Sequence, residues 1–265
     1  MIDRRSVAVL RVVLPLAALT VLAQVAHPLV RGGTRDALTV ATVLLFAAAS
    51  LAHALATRGV RTAATVLVVL GCGGLLAEAV GTRTGFPFGA YTYADTLGPA
   101  VLGVPAVIPL AWVMMGWPAW LVGSRLAGPR AGRARRALVA GVALATWDLF
   151  LDPQMVAAGH WRWADPAPAL PGVPDVPLTN YAGWLAVAVA MAALLDVALP
   201  AAARAPAPAD TVPYALYLWT YASSVLAHAA FFGLPASALW GALGMGLVAV
   251  PLARSLRPRA RAAAR

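Results

Sequence analysis

Apolar residues along this chain come in long runs rather than in alternation. Eight runs approach the length of a membrane-spanning helix, at residues 6–26, 37–57, 62–80, 103–122, 137–151, 181–200, 212–232 and 235–253. Crossing a hydrocarbon core of about 30 Å takes about 20 mostly apolar residues in a helix. The pattern therefore predicts an all-α polytopic membrane bundle of about eight transmembrane helices. The fifth run is short and the last two nearly touch, which leaves seven as the other count. Arg4 and Arg5 precede the first run as they would a signal peptide, but Gln24 stands where cleavage needs a small residue, so the run reads as a membrane helix. The connections are short, and in one of them, Pro200 to Ala209, Pro206 and Pro208 stop helix. With no internal repeat and no connection long enough for a second folded unit, residues 1–265 read as a single transmembrane domain.

Composition agrees with the pattern. Apolar residues make up 61% of the chain and charged residues 11%, against about 25% charged in soluble domains, and mean hydropathy is +0.78. The net charge of +10 would suggest nucleic acid in a soluble protein, but its distribution has another explanation. All 20 basic residues are arginine. With a cytoplasmic N-terminus and eight crossings, only Arg31, Arg35, Arg83 and Arg162 fall outside and the rest fall inside. That bias predicts both termini in the cytoplasm, with residues 254–265 as an Arg-rich cytoplasmic tail against anionic membrane lipid. The expectation is an integral protein of the bacterial cytoplasmic membrane that binds no nucleic acid. The one cysteine, Cys72, reads as a small packing residue, and no Cys/His cluster has metal-site spacing.

Against this apolar background the acidic residues stand out. Asp148 and Asp152 lie at i and i+4, on one face of the helix that Pro153 closes. Glu78 is the only glutamate and shares a helix face with Gly71 and Gly74. A carboxyl group in hydrocarbon costs several kcal/mol unless it is neutral, paired or wetted, which makes these residues functional candidates. The aspartate pair also reads as cap and turn residues before Pro153. Tyr214, Tyr217, Tyr221, Ser224 and His228 form a stripe at helical spacing, readable as packing and anchoring or as part of a site. Asp196 reads as a structural partner of Arg204. Two connections, residues 81–100 and 159–181, are rich in aromatics and proline and predict a surface packed over the helix ends.

Several blocks occur in an order that resembles a known family. They are Glu78 to Tyr93 (EAVGTRTGFPFGAYTY), Leu97-Gly-Pro, Gly103-Val-Pro, Ile108 to Met115 (IPLAWVMM), Trp147 to Met155 (WDLFLDPQM), Gly159-His-Trp and Pro177 to Trp184 (PLTNYAGW). Together, over about residues 70–190, they resemble the membrane carotenoid biosynthesis proteins of the CruF type, whose characterised members are carotenoid hydratases. The resemblance implies addition of water to the terminal double bond of a linear carotenoid, as in bisanhydrobacterioruberin or gamma-carotene hydration.

The residues fit such chemistry. Hydrating a trisubstituted alkene needs an acid that protonates the less substituted carbon and a base that takes a proton from the water captured by the tertiary cation. Two carboxyl groups in an apolar site have their acidities pushed apart, so that one can act as acid while the other orients water. Asp148 is expected as the acid, with Asp152 or Glu78 as the base and His160 and His228 as groups that position water. Tyr217, Tyr221, Phe86, Phe88, Tyr91, Tyr93, Trp147, Trp161 and Asn180 are expected to bind the substrate, the aromatics through their π faces. Linear carotenoid, water and membrane lipid are the expected partners, together with other enzymes of the same pathway, and no metal or other cofactor is expected. The alternatives are a carotenoid end-group cyclase, a membrane prenyltransferase, for which the Asp148 and Asp152 spacing is a partial imitation, and a non-catalytic carotenoid-binding or transport protein.

Overall fold

The computed structural model describes residues 7–257. Among these, nine helices form one bundle: α1 (Arg11–Leu29), α2 (Gly33–Arg58), α3 (Val60–Thr84), α4 (Ile108–Ala127), α5 (Arg133–Ala145), α6 (Asp148–Ala157), α7 (Leu178–Ala198), α8 (Thr211–Ala230) and α9 (Pro235–Leu256). Short strands occupy the connections after α3 and α6. They are β1 (Tyr91–Tyr93), β2 (Ala100–Val101), β3 (Val104–Pro105), β4 (Trp161–Trp163), β5 (Ala169–Leu170) and β6 (Val173–Pro177), paired antiparallel as β1 with β4, β2 with β3, and β5 with β6. Gly59 alone separates α2 from α3 at φ 86°, a conformation that costs glycine little and other residues much. Gly85, at φ 76°, closes α3 by returning its N–H to the Gly81 carbonyl at 2.8 Å.

Helix α4 is the axis of the bundle. Every residue from Ala111 to Gly123 is buried, as expected of a helix that is apolar on all sides. Its neighbours come close where side chains are missing. Leu70 of α3 sits on Gly116, Ala140 of α5 on Gly123, and Val189 of α7 on Gly141 of α5, where an added Cβ would lie 2.4 Å from Val189 Cγ2. Small residues at such crossings let helix backbones approach within a membrane, where packing rather than water exclusion drives association.

The structure corrects the expected count of eight transmembrane helices. Five helices of the described residues are long and apolar enough to cross a membrane: Arg11–Leu29, Gly33–Arg58, Val60–Thr84, Leu178–Ala198 and Pro235–Leu256. The runs at 103–122, 137–151 and 212–232 do not qualify. The first is α4, which is enclosed by other helices and carries Trp112, Trp117, Trp120, two prolines and Arg125. The second is broken at Thr146 and Trp147 into α5 and α6, of 13 and 10 residues. At 1.5 Å per residue neither reaches across about 30 Å. The third is α8, whose tyrosines, hydroxyls and His228 dilute its apolar character. The placement of both termini in the cytoplasm relied on the count of eight and loses that support. Arg4, Arg5, Arg259, Arg261 and Arg265 lie outside the described residues, so the Arg-rich tail is represented by Arg254 and Arg257 alone. Cys72, expected in packing, is exposed.

The two ends of the bundle differ in chemistry. One end carries ion pairs. Arg58 grips both Asp210 oxygens at 2.9 Å, while Arg136 and Arg204 converge on the fully buried Asp196, at 2.6 and 3.3 Å. The sequence expectation that Asp196 pairs with Arg204 thus holds, with Arg136 as a second partner. The other end gathers Glu78, Asp148, Asp152, His160 and His228 under the paired strands. Replacing Asp196 with alanine leaves two arginines with no acidic partner there. Asp196→Ala is expected to cost about 3–5 kcal/mol, read as a lowered thermal midpoint of the detergent-solubilised chain.

Candidate active site

Helix α3 presents Gly74, Glu78 and Gly81 along one face. Gly74 leaves room for the Trp112 ring of α4, since a Cβ there would come within 2.6 Å of the indole. Trp112 uses that position to donate from Nε1 to Glu78 Oε1 at 3.0 Å. The other carboxylate oxygen, Oε2, accepts from Tyr93 at 2.8 Å and from Tyr91, both on β1. Glu78 is thus buried with three donors around it. Burial first, and then the Glu78 charge, push both phenols far above their ordinary range, which keeps them protonated and donating.

The aspartate pair is built differently. Asp148 and Asp152, at i and i+4 on α6, point the same way and are both buried. The Asn180 side chain, from the first turn of α7, donates its amide nitrogen to Asp148 Oδ2 at 2.8 Å and to Asp152 Oδ2. Trp161 of β4 donates to Asp152 Oδ1 at 3.1 Å. Of the six oxygens on the three carboxyl groups, only Asp148 Oδ1 has no hydrogen-bond partner.

The β1–β4 ladder joins the two carboxyl centres. Its register sets Tyr93 opposite Trp161 and Tyr91 opposite Trp163. The donors to Glu78 therefore stand beside the donor to Asp152, with the Tyr93 and Trp161 rings edge to face at 5.6 Å. Behind them Trp112 stacks on Trp184 at 4.1 Å and 9°. A cavity of about 150 Å³ opens among these groups, and its wall includes Glu78, Asp152, Asn180, Phe88, Tyr91, Tyr93, Trp147 and Trp161, all singled out in the sequence.

The other candidates lie off that wall. Asp148 stands behind Asp152. Phe86 is 73% exposed. His160 bonds Thr96 through Nδ1 at 2.7 Å and faces Asp36 at 3.7 Å; burial lowers its pKa and Asp36 opposes this. His228 uses both ring nitrogens, on Ser237 at 2.9 Å and Gln154 at 3.2 Å, and so braces α8 against α9 and α6. Tyr217 and Tyr221 donate to the carbonyls of Ala143 and Ala242. Trp112 and Trp184 line the cavity and were not singled out as site residues, nor were Gln24, His27, Thr39 and Thr42 on α1 and α2. Trp112 and Trp184 lie within the quoted sequence blocks, which was the available signal; nothing marked the four polar residues. Among the described residues no cluster of three or more His, Cys, Asp or Glu could hold a metal ion.

Comparison with known proteins adds two findings. The family model for carotenoid biosynthesis proteins matches residues 38–250. A bisanhydrobacterioruberin hydratase of Haloarcula japonica is 40% identical over 110 residues, a stretch that spans 41% of this chain and 36% of that relative. No solved structure matches the chain.

Because Gly74 is the contact that seats Trp112, Gly74→Ala is expected to displace the indole from Glu78. The expected cost is about 1–3 kcal/mol, and near-ultraviolet circular dichroism should report the loss of the Trp112–Trp184 stack.

Proposed function

Because the chain belongs to the carotenoid biosynthesis protein family, we propose that it is a membrane hydratase that adds water to the terminal double bond of a linear carotenoid. The observation that carries this reading is the meeting of two carboxyl centres on the wall of one aromatic cavity. The Haloarcula relative, a bisanhydrobacterioruberin hydratase, supports the same chemistry. Linear carotenoids are comparable in length to the bilayer core. A cavity of this size takes an end of such a chain, with the remainder in the membrane.

In the proposed reaction the Asp148 and Asp152 pair supplies the proton. Two buried carboxyl groups on one amide clamp do not both hold a charge at low cost. The pair holds one proton between its two members, and Asp152, on the wall, is the member that passes it to the alkene. The proton bonds to the less substituted carbon as the π pair moves to it, leaving a tertiary cation. The Glu78 charge and the faces of Trp112 and Trp184 stabilise that cation. Water bonds to it and releases a proton, which restores the pair, so that one water is gained and nothing else is consumed.

The test is expression in cells that accumulate linear carotenoids, with products read by chromatography and mass spectrometry. A gain of one water per modified end is expected. A cyclic isomer of unchanged mass with altered absorption would indicate cyclisation instead. Asp152→Asn is expected to lower hydrated product by about 10²- to 10⁴-fold, the range for loss of a general acid, with the protein still in the membrane. Glu78→Gln keeps the shape and removes the charge, and is expected to slow turnover more than it weakens substrate binding.

A further inference from the structure

The cavity has a second wall, unlike the aromatic one. Helix α1 gives it Gln24 and His27 and α2 gives Thr39 and Thr42, each pair on one helix face, and α8 adds Ser223 and Ser224. Hydroxyl side chains in apolar helices commonly satisfy themselves on the carbonyl one turn back. Thr39 and Thr220 do so, bonding the carbonyls of Arg35 at 3.1 Å and Leu216 at 2.9 Å. Thr42 does not. Its Oγ1 is buried and has no partner.

The histidine on this wall is also left with an open position. Thr39 Oγ1 lies 2.9 Å from His27 Nε2 and 3.1 Å from the Arg35 carbonyl, so the Nε2 side of the ring is taken. A neutral imidazole has one donor and one acceptor nitrogen, so Nδ1 keeps a hydrogen-bonding position of its own. Among the described residues Nδ1 has no hydrogen-bond partner, and the ring is held edge to face against Phe232 at 5.7 Å. A dry apolar cavity excludes water, whereas one with two to four polar partners holds it.

We infer that His27, Thr42 and Ser224 form a site for a single hydroxyl oxygen, occupied by the reacting water before addition and by the tertiary alcohol of the product after it. One site serves both because the oxygen is the same atom. This inference rests on the proposed hydration. Capture of the cation forms the C–O bond, and one O–H bond breaks as its proton leaves, with no oxidant or reductant. Without a held water the cation loses a proton from a neighbouring carbon instead, returning a polyene isomer of unchanged mass.

Two measurements test the site. In cells accumulating linear carotenoid, the double variant Thr42→Val, Ser224→Ala is expected to lose hydrated product at least about ten-fold and to gain isomers of unchanged mass, while Thr42→Ser retains hydration. The second uses the solubilised full chain and quenching of its tryptophan fluorescence by 2,6-dimethyloctan-2-ol or by 2,6-dimethyloctane, which differ only in the hydroxyl group. The wild type is expected to bind the alcohol about three- to ten-fold more tightly, the worth of one hydrogen bond, and the double variant to bind both alike. A wild type that hydrates while the double variant gives the same products would overturn the site and leave the hydratase reading standing. A wild type that prefers the alcohol but never hydrates overturns the reaction and leaves the hydroxyl site. No preference in the wild type overturns the site.

Discussion

Three carboxyl groups buried among apolar residues have to be hydrogen-bonded, and in this bundle the donors come from distant parts of the chain. Glu78 on α3 depends on Trp112 of α4 and on two tyrosines of β1; Asp152 depends on Trp161 of β4; the aspartate pair depends on Asn180 of α7. An unpaired charge in such surroundings costs several kcal/mol, so these bonds dictate much of the surrounding form. They require the connections to fold back over the helix ends, and they require Gly74 to be bare so that an indole can lie against α3. The aromatic residues that make the cavity apolar are also the ones that supply its polar contacts.

The choice of donor separates this end of the bundle from the other. Asp196 and Asp210 are held by guanidinium groups, whose planar donors match a carboxylate. None of the hydrogen bonds to Glu78, Asp148 or Asp152 comes from an arginine. Indole, phenol and amide groups hold a carboxyl in place without supplying a countercharge. At the guanidinium end Arg58, Arg136 and Arg204 tie helices and connections together.

Much of this was legible along the chain. Each described helix overlaps one of the apolar runs, and the spacing of Asp148 and Asp152 put both on one face, as found. The membrane count was not legible, because a run buried by other helices reads like one buried by lipid. Helix α4 is the clearest case. The paired carboxyl centres were visible only as separate motifs, since the register that sets Tyr93 against Trp161 joins segments some 70 residues apart. Tyr217, Tyr221 and His228 share a stripe in the sequence, but backbone carbonyls take both tyrosine hydroxyls and Ser237 and Gln154 take the histidine. Of the hydroxyl wall only Ser224 was visible, as a member of the tyrosine stripe; an isolated threonine in an apolar helix gives no sign of whether its own backbone will satisfy it.

The order of the donors along the chain bears on how the protein is made. Glu78 is synthesised before Tyr91, Tyr93 and Trp112, and the aspartate pair before Trp161 and Asn180. Each acidic residue thus leaves the ribosome ahead of every side chain that will stabilise it. During biosynthesis the carboxyl-bearing segments have to wait at a hydrated surface or within a protected compartment until the later segments arrive. Asn180 is the last of these donors to be made, so the Asp148 and Asp152 pair is completed after the Glu78 centre, whose donors all lie at or before Trp112.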